Sequence, residues 1–110
     1  MQTTVTARRF RAHDDVKEHA LGAVKRLGKF YDGIVHADVI LSYERVTKSV
    51  KAAEVNLQVY GHILTAKAKS DSFEKSIDAA VEKLTIRLAK YKSKLRAKDK
   101  VKARAIREKA

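Results

Sequence analysis

Residues 73–95 read FEKSIDAAVEKLTIRLAKYKSKL, a stretch with one regular apolar pattern from end to end. Its apolar residues recur at intervals of three and four positions, which places them on one side of an α-helix. These residues are Phe73, Ile77, Val81, Leu84, Leu88, Tyr91 and Leu95. The stretch therefore predicts a long amphipathic helix that closes a hydrophobic core with that side.

A row of basic residues precedes much of this apolar side by one position. The row consists of Lys83, Arg87, Lys90 and Lys94. A shift of one residue is a rotation of about 100° around a helix. The helix is therefore expected to bury one side and to present a line of positive charge on the adjacent flank.

Alternating apolar and polar residues indicate four strands, at residues 3–8, 34–44, 50–60 and 63–69. A polar loop is expected at residues 45–49. In the second strand, the residues expected to face inward are Val35, Ala37, Val39, Leu41 and Tyr43.

Turn and cap signals connect these elements. A first helix is expected to open at His13, Asp14 or Asp15 and to end at the turn of residues 32–33. Residues 61–62, with glycine first, are expected to form a type II′ hairpin turn. Ser70, Asp71 and Ser72 offer N-cap chemistry for the second helix, and Asp71 followed by Glu74 resembles a capping box.

The element order is thus β-α-β-β-β-α. It predicts an α+β fold, a two-layer sandwich in which a four-stranded mixed sheet carries both helices on one face. Residues 1–95 are expected to form the domain. Residues 96–110 hold seven basic residues against two carboxylates and are expected to form a basic, frayed helical tail that orders on a polyanion.

The charge balance points to a polyanionic partner. The 110 residues contain 25 Lys and Arg against 13 Asp and Glu, a formal net charge of +12. A field of this sign concentrates polyanions, with nucleic acid the first candidate and an anionic membrane surface the second. Solubility alone is a weaker explanation, because mixed charges would provide it equally well. No apolar run has membrane-spanning length, and a soluble, cytoplasmic protein is expected.

Catalytic signals are missing from the sequence. It contains no cysteine, which excludes disulfides and thiolate metal sites, and its four histidines fall on different elements. No phosphate loop, nucleophile elbow or zinc motif occurs. We therefore expect no enzyme, no cofactor, no metal site and no small-molecule substrate; a nuclease built from scattered carboxylates is the alternative.

Several basic groups could contact phosphates. Arg8 begins a cluster of three arginines after the first strand, and the first helix carries further cations beside the row at residues 83–94. A solvated charged face is the alternative for each group taken alone. Structured RNA is favoured as the target, because the sequence shows no recognition helix and no tryptophan or exposed aromatic row for stacking single strands.

Three regions resemble the ribosome hibernation promoting factor family. Its second helix is similar to residues 71–78 (DSFEKSID), 83–84 and 90–95 (KYKSKL). Its first helix is similar to residues 16–20, 26–27 and 30–32, and its hairpin turn to residues 60–62. The resemblance extends over about residues 5–95 in the same order.

The resemblance implies a fold like that of double-stranded-RNA-binding domains. It implies binding to the small (30S) ribosomal subunit and its rRNA in the decoding channel, where mRNA and tRNA are blocked and translation is silenced in stationary phase or stress. A basic tail is similar to short members that are compatible with ribosome dimers. The positions that match the family's basic surface are Lys17, Arg26, Lys83, Lys90, Lys92 and Lys94. A constitutive structural component of a ribonucleoprotein is the alternative.

Overall fold

The computed structural model describes the backbone of residues 1–44 and 50–109 and the side chains of residues 1–44 and 50–94. Its elements, in chain order, are β1 (Gln2–Ala7), α1 (Asp14–Phe30), β2 (Ile34–Tyr43), β3 (Lys51–Val59), β4 (His62–Ser70) and α2 (Phe73–Lys109). The predicted order is confirmed. The predicted loop at residues 45–49 lies outside the described residues.

The four strands form one mixed sheet in the order β1-β2-β3-β4. β1 pairs with β2 in parallel, whereas β2 with β3 and β3 with β4 are antiparallel. A parallel pair needs a crossover connection, and α1 supplies it. β4 is left as an edge strand, with α2 following it directly.

Both helices pack on the same face of the sheet, so the predicted two-layer α+β sandwich is confirmed. α2 lies over β3 and β4 and contacts α1 at its side. Its residues Ile77, Leu84 and Leu88 are completely buried. The matching buried residues of α1 are Ala20, Ala23, Val24 and Leu27.

The start of β2 differs from the prediction. The pairing register with β3 shifts between Ile34 and His36, so one extra residue enters β2 at this point. Such a bulge exchanges the inward and outward positions before it. Ile34 is therefore buried (4% exposed) and Val35, predicted to face inward, is 59% exposed. After the bulge the predicted alternation of burial holds as far as Leu41, whereas Tyr43 at the end of the strand is 37% exposed although its ring packs against Phe10 and Phe73.

The β3–β4 turn lies one residue earlier than predicted. Val59 pairs with His62, so the two-residue loop is Tyr60-Gly61 and not Gly61-His62. Gly61 has a φ of +77°, the left-handed region. Tyr60, the first loop residue, does not have a positive φ. A positive φ at the second loop position alone belongs to a type II turn, so the predicted type II′ turn is wrong. The alternation alone had assigned Tyr60 to the strand.

Ser72, not Asp71, caps α2. Its hydroxyl oxygen accepts a hydrogen bond from the backbone N–H of Lys75 (3.3 Å) and donates to the carboxylate of Glu74 (3.0 Å). The Glu74 carboxylate accepts a hydrogen bond from the Glu74 backbone N–H and another from the Ser72 hydroxyl. These two bonds, the first more than the second, lower the pKa of Glu74. Asp71 instead forms an ion pair with Lys75 at 3.3 Å. In α1 the N-cap is His13, without a side-chain cap bond.

The backbone of α2 is helical from Phe73 to Lys109. The prediction that residues 96–110 are helical agrees with this over residues 96–109. The side chain of Leu95 and those of the tail lie outside the described residues. The division into a domain of residues 1–95 and a tail therefore stays a prediction.

Acid should weaken the link between β1 and β2. Hydrogen bonds from Thr4 first, and then from His36 (2.7 Å), lower the pKa of Asp38. The stabilisation is present above the unfolded pKa, about 3.9, and is lost as the pH falls through the folded value. Urea midpoints followed by circular dichroism should fall as the pH drops below about 4. Asp38→Asn, which keeps one acceptor oxygen but has no proton to gain, should show a smaller fall; an equal fall would contradict a contribution from Asp38.

Candidate nucleic-acid interface

The predicted basic row lies along the flank of α2 that faces the edge strand β4. Lys83, Arg87, Lys90 and Lys94 are all exposed. The Lys83 ammonium donates a hydrogen bond to the carbonyl of Lys67 on β4 (2.9 Å), which fixes the direction in which this flank points. Leu84 and Leu88 directly follow Lys83 and Arg87 and are buried. The two cations therefore lie on the adjacent flank of the helix. The sequence pattern therefore located this row correctly.

Three of these cations line a shallow groove of about 270 Å³ between β4 and α2, here called the β4–α2 groove. Arg87, Lys90 and Lys94 contribute the charge. The other lining side chains are His62, Leu64 and Tyr91. Among the side chains that the structure describes, none that lines the groove is acidic, so the groove is suited to an anion. The spacing of the cations along a helix suits a chain of phosphates better than a single one.

Tyr91 connects this groove to the neighbouring elements. Its hydroxyl donates a hydrogen bond to the carbonyl of Tyr60 (3.1 Å), and its ring packs edge-on against His62 with 5.7 Å between centroids. On its other side it packs edge-on against Tyr31 at 5.8 Å. Burial of the Tyr31 hydroxyl raises the pKa of Tyr31, and its interaction with Tyr91 raises it further. The groove floor is therefore held by contacts to both the hairpin and the segment after α1.

The predicted cations of α1 lie elsewhere. Arg26 faces the opposite flank of α2, where its guanidinium is 3.6 Å from the carboxylate of Asp78, which also contacts His19 at 2.8 Å. Nine residues separate Lys17 from Arg26, a rotation of about 180°, so Lys17 lies on the far side of α1. Surface ion pairs of this kind contribute little to stability, and Arg26 can exchange Asp78 for a phosphate at small cost.

Lys92 has an intramolecular role in this structure. Its ammonium donates a hydrogen bond to the carbonyl of Phe30 (3.2 Å) and lies 4.7 Å from the centroid of the Phe30 ring. These contacts tie α2 to the C-terminal end of α1. Lys92 is half-buried, in contrast to Lys90 and Lys94.

Arg8 belongs to a third location, at one end of the open sheet face. It lines a depression of about 450 Å³ together with Arg9, Lys67 and Lys69. Glu44 forms an ion pair with Lys69 there. The eight predicted binding residues thus divide among the β4–α2 groove and its row, the α1 side and the sheet face.

Tyr60 is the residue near the groove that sequence reasoning missed. The alternation predicts it as the last residue of a strand, and the sequence shows no exposed aromatic row. The structure places it at the hairpin tip with 90% of its surface exposed. An aromatic residue directly before a glycine between two strands was the available signal.

Metal and membrane sites are not indicated by the described part of the chain. Within it, no group of three or more His, Asp or Glu side chains could hold a metal ion. None of the helices described combines the length and hydropathy needed to cross a bilayer.

A mixed sheet with two helices on one face, and a line of cations along one of them, defines a small basic α+β domain suited to polyanions. Residues 3–96 match the family described as "Sigma 54 modulation protein / S30EA ribosomal protein". The chain belongs to this family.

Named relatives and solved structures agree with the assignment. The chain is 28% identical over 96 residues to the ribosome hibernation promoting factor of Klebsiella oxytoca, covering 87% of this chain and 98% of the relative. It is 27% identical over 96 residues to that of Escherichia coli, with the same coverage.

Two solved structures share the fold. A ribosomal subunit interface protein from Coxiella burnetii has a TM-score of 0.76 at 25% identity, covering 84% of this chain and 99% of that one. The N-terminal domain of Thermus thermophilus Protein Y has a TM-score of 0.72 at 22% identity, covering 83% and 99%. The resemblance seen in the sequence is thereby confirmed.

Proposed function

We propose that this protein is a ribosome hibernation factor. It binds the rRNA of the small ribosomal subunit in the decoding channel, blocks mRNA and tRNA there, and silences translation in stationary phase or stress. Its family and the names of its relatives support the ribosomal role. A cytoplasmic location follows from the role.

The observation that carries this proposal is the exposed row Lys83, Arg87, Lys90 and Lys94 beside the β4–α2 groove. Cations in such a row contact successive phosphates, which supply affinity with little reading of base sequence. A rigid two-layer domain held in this way acts as a steric obstacle. The role requires no catalytic group, cofactor or metal.

The remaining predicted contacts, Lys17, Arg26, Lys92 and Arg8, lie on other surfaces of the domain. A channel surrounds its occupant, so cations on several sides are compatible with the proposal. Arg26 and Lys92 must first leave their contacts with Asp78 and Phe30. We therefore assign the largest contribution to the row on α2 and smaller ones to these four residues.

Co-sedimentation with vacant ribosomes on a sucrose gradient tests the function. Purified protein should bind the small subunit saturably, and excess tRNA with mRNA should displace it. Binding that tRNA and mRNA do not displace would place the site outside the decoding channel. The absence of saturable binding would contradict the proposed function. Equal occupancy of ribosomes in growing and stationary cells would favour a constitutive ribonucleoprotein component. The same gradient shows whether ribosome dimers form.

A further inference from the structure

Three exposed apolar side chains lie at the hairpin end of the sheet. Tyr60 at the tip is 90% exposed, and Ile63 and Val35 are 69% and 59% exposed. The strand register brings them to the same end, because Ile34 pairs with Val59 and Val59 with His62. Most of the other aromatic rings described pack against one another, such as Phe10 stacked on Phe73 at 5.1 Å, and the centroid of the Phe30 ring lies 4.7 Å from the Lys92 ammonium instead. Tyr60 has no such ring partner among the described residues.

The backbone that carries Tyr60 is held firmly. Its loop has only two residues, and Gly61 takes the left-handed conformation that closes it. The Tyr91 hydroxyl binds the Tyr60 carbonyl at 3.1 Å, which anchors the tip to α2. A tyrosine side chain has few rotatable bonds, so little entropy is lost when it makes a contact. Tyr60 is thus an exposed ring on a preorganised support.

The charges beside the hairpin tip indicate which class of ligand the Tyr60 ring contacts. The β4–α2 groove begins at this hairpin, because His62 and Tyr91 both line it, and Arg87, Lys90 and Lys94 continue along it. An aromatic surface followed by a row of cations is the combination that binds unpaired nucleotides, with the base on the ring and phosphates on the cations. An apolar protein partner would not account for three adjacent cations in a groove whose described lining holds no carboxylate.

We propose that Tyr60 stacks on an unpaired RNA base whose flanking phosphates lie in the β4–α2 groove. The inference rests on the proposed function and specifies its target further. The bases of a double helix are stacked on one another, so the ring needs a base that is splayed out, as in a loop or bulge. The groove therefore recognises a junction between structured RNA and an unpaired nucleotide.

Affinities for purified small ribosomal subunits test this proposal. Tyr60→Ala and Tyr60→Leu should each weaken binding by about 5- to 150-fold, whereas Tyr60→Phe should bind within about twofold of the wild type. Because Tyr60 is almost fully exposed, all three variants should keep the wild-type urea midpoint. Wild-type binding by both Ala and Leu variants would overturn the stacking proposal while the function stands. Loss with Ala but not with Leu would overturn it in favour of an apolar protein contact.

A fluorescence experiment gives a direct readout, since the chain contains no tryptophan. Tyr60→Trp places a single reporter at the tip, and its emission should be quenched on binding small subunits as the indole stacks on a base. The matched control is Ile86→Trp, at a position that is also exposed but lies on the α1 side of α2. Binding without quenching of the Tyr60→Trp emission would overturn the stacking proposal, whereas no binding by wild type would refute the function itself.

Discussion

Leu84→Ala should lower the free energy of unfolding by about 2–5 kcal/mol, which is the range for a buried leucine truncated to alanine. Leu84 is completely buried in the centre of the side of α2 that packs on the sheet. The total free energy of unfolding of a domain is only about 5–15 kcal/mol. Urea denaturation followed by circular dichroism measures the change directly, and a substantial part of the free energy of unfolding should be lost.

Ile86→Ala is the matched control for this experiment. It removes a similar side chain two residues away, but Ile86 is exposed, so the change should stay within about 0.5 kcal/mol. If Leu84→Ala cost no more than Ile86→Ala, the packing of α2 on β3 and β4 described above would be wrong. The pair also separates burial from helix propensity, because both changes introduce the same residue into the same helix.

The agreement on α2 has a simple physical origin. Burial of one side of a helix requires apolar residues at helical spacing, and residues 73–95 show that spacing without a Gly or Pro interruption. The same spacing fixes the flank on which Lys83 and Arg87 must lie. The antiparallel pairing of the last three strands likewise follows from alternation and short connections, whereas the parallel pairing of β1 with β2 was not predicted.

The errors occur where one residue decides the outcome. An extra residue at the start of β2 exposes Val35, and alternation cannot show such a bulge. The cap of α2 depends on three-dimensional contacts: the Asp71 carboxylate pairs with the Lys75 ammonium at 3.3 Å, and the Ser72 hydroxyl accepts the hydrogen bond from the Lys75 backbone N–H. The one-residue error in the hairpin turn also hid the exposure of Tyr60.

The site could be predicted only within a single element. Helical periodicity located the row on α2, but contacts between elements have no signature in one sequence. The tie between Lys92 and Phe30, and the ion pair between Arg26 and Asp78, are examples. Likewise, nothing in the pattern showed that Arg8 lies on the open sheet face.

Reversing the charge of the groove should have the largest effect on function. In the triple variant Arg87→Glu, Lys90→Glu and Lys94→Glu, three phosphate contacts are lost. Each phosphate contact releases about 0.7–0.9 of a counterion into solution. At about 0.1 M salt, the release from one contact raises the affinity roughly sixfold. Ribosome binding should therefore weaken by at least about 100-fold, and repulsion by the new carboxylates increases the loss. The slope of log affinity against log salt should fall by about 2 to 3.

The control has the same change in net charge at exposed positions outside the groove: Lys25→Glu, Lys29→Glu and Lys75→Glu. If the protein were attracted to the ribosome only by its overall charge, both triple variants would lose the same affinity. Local phosphate contacts predict a much larger loss for the groove variant. Equal losses, with both urea midpoints unchanged, would remove the β4–α2 groove from the interface and with it the basis for placing Tyr60 against RNA.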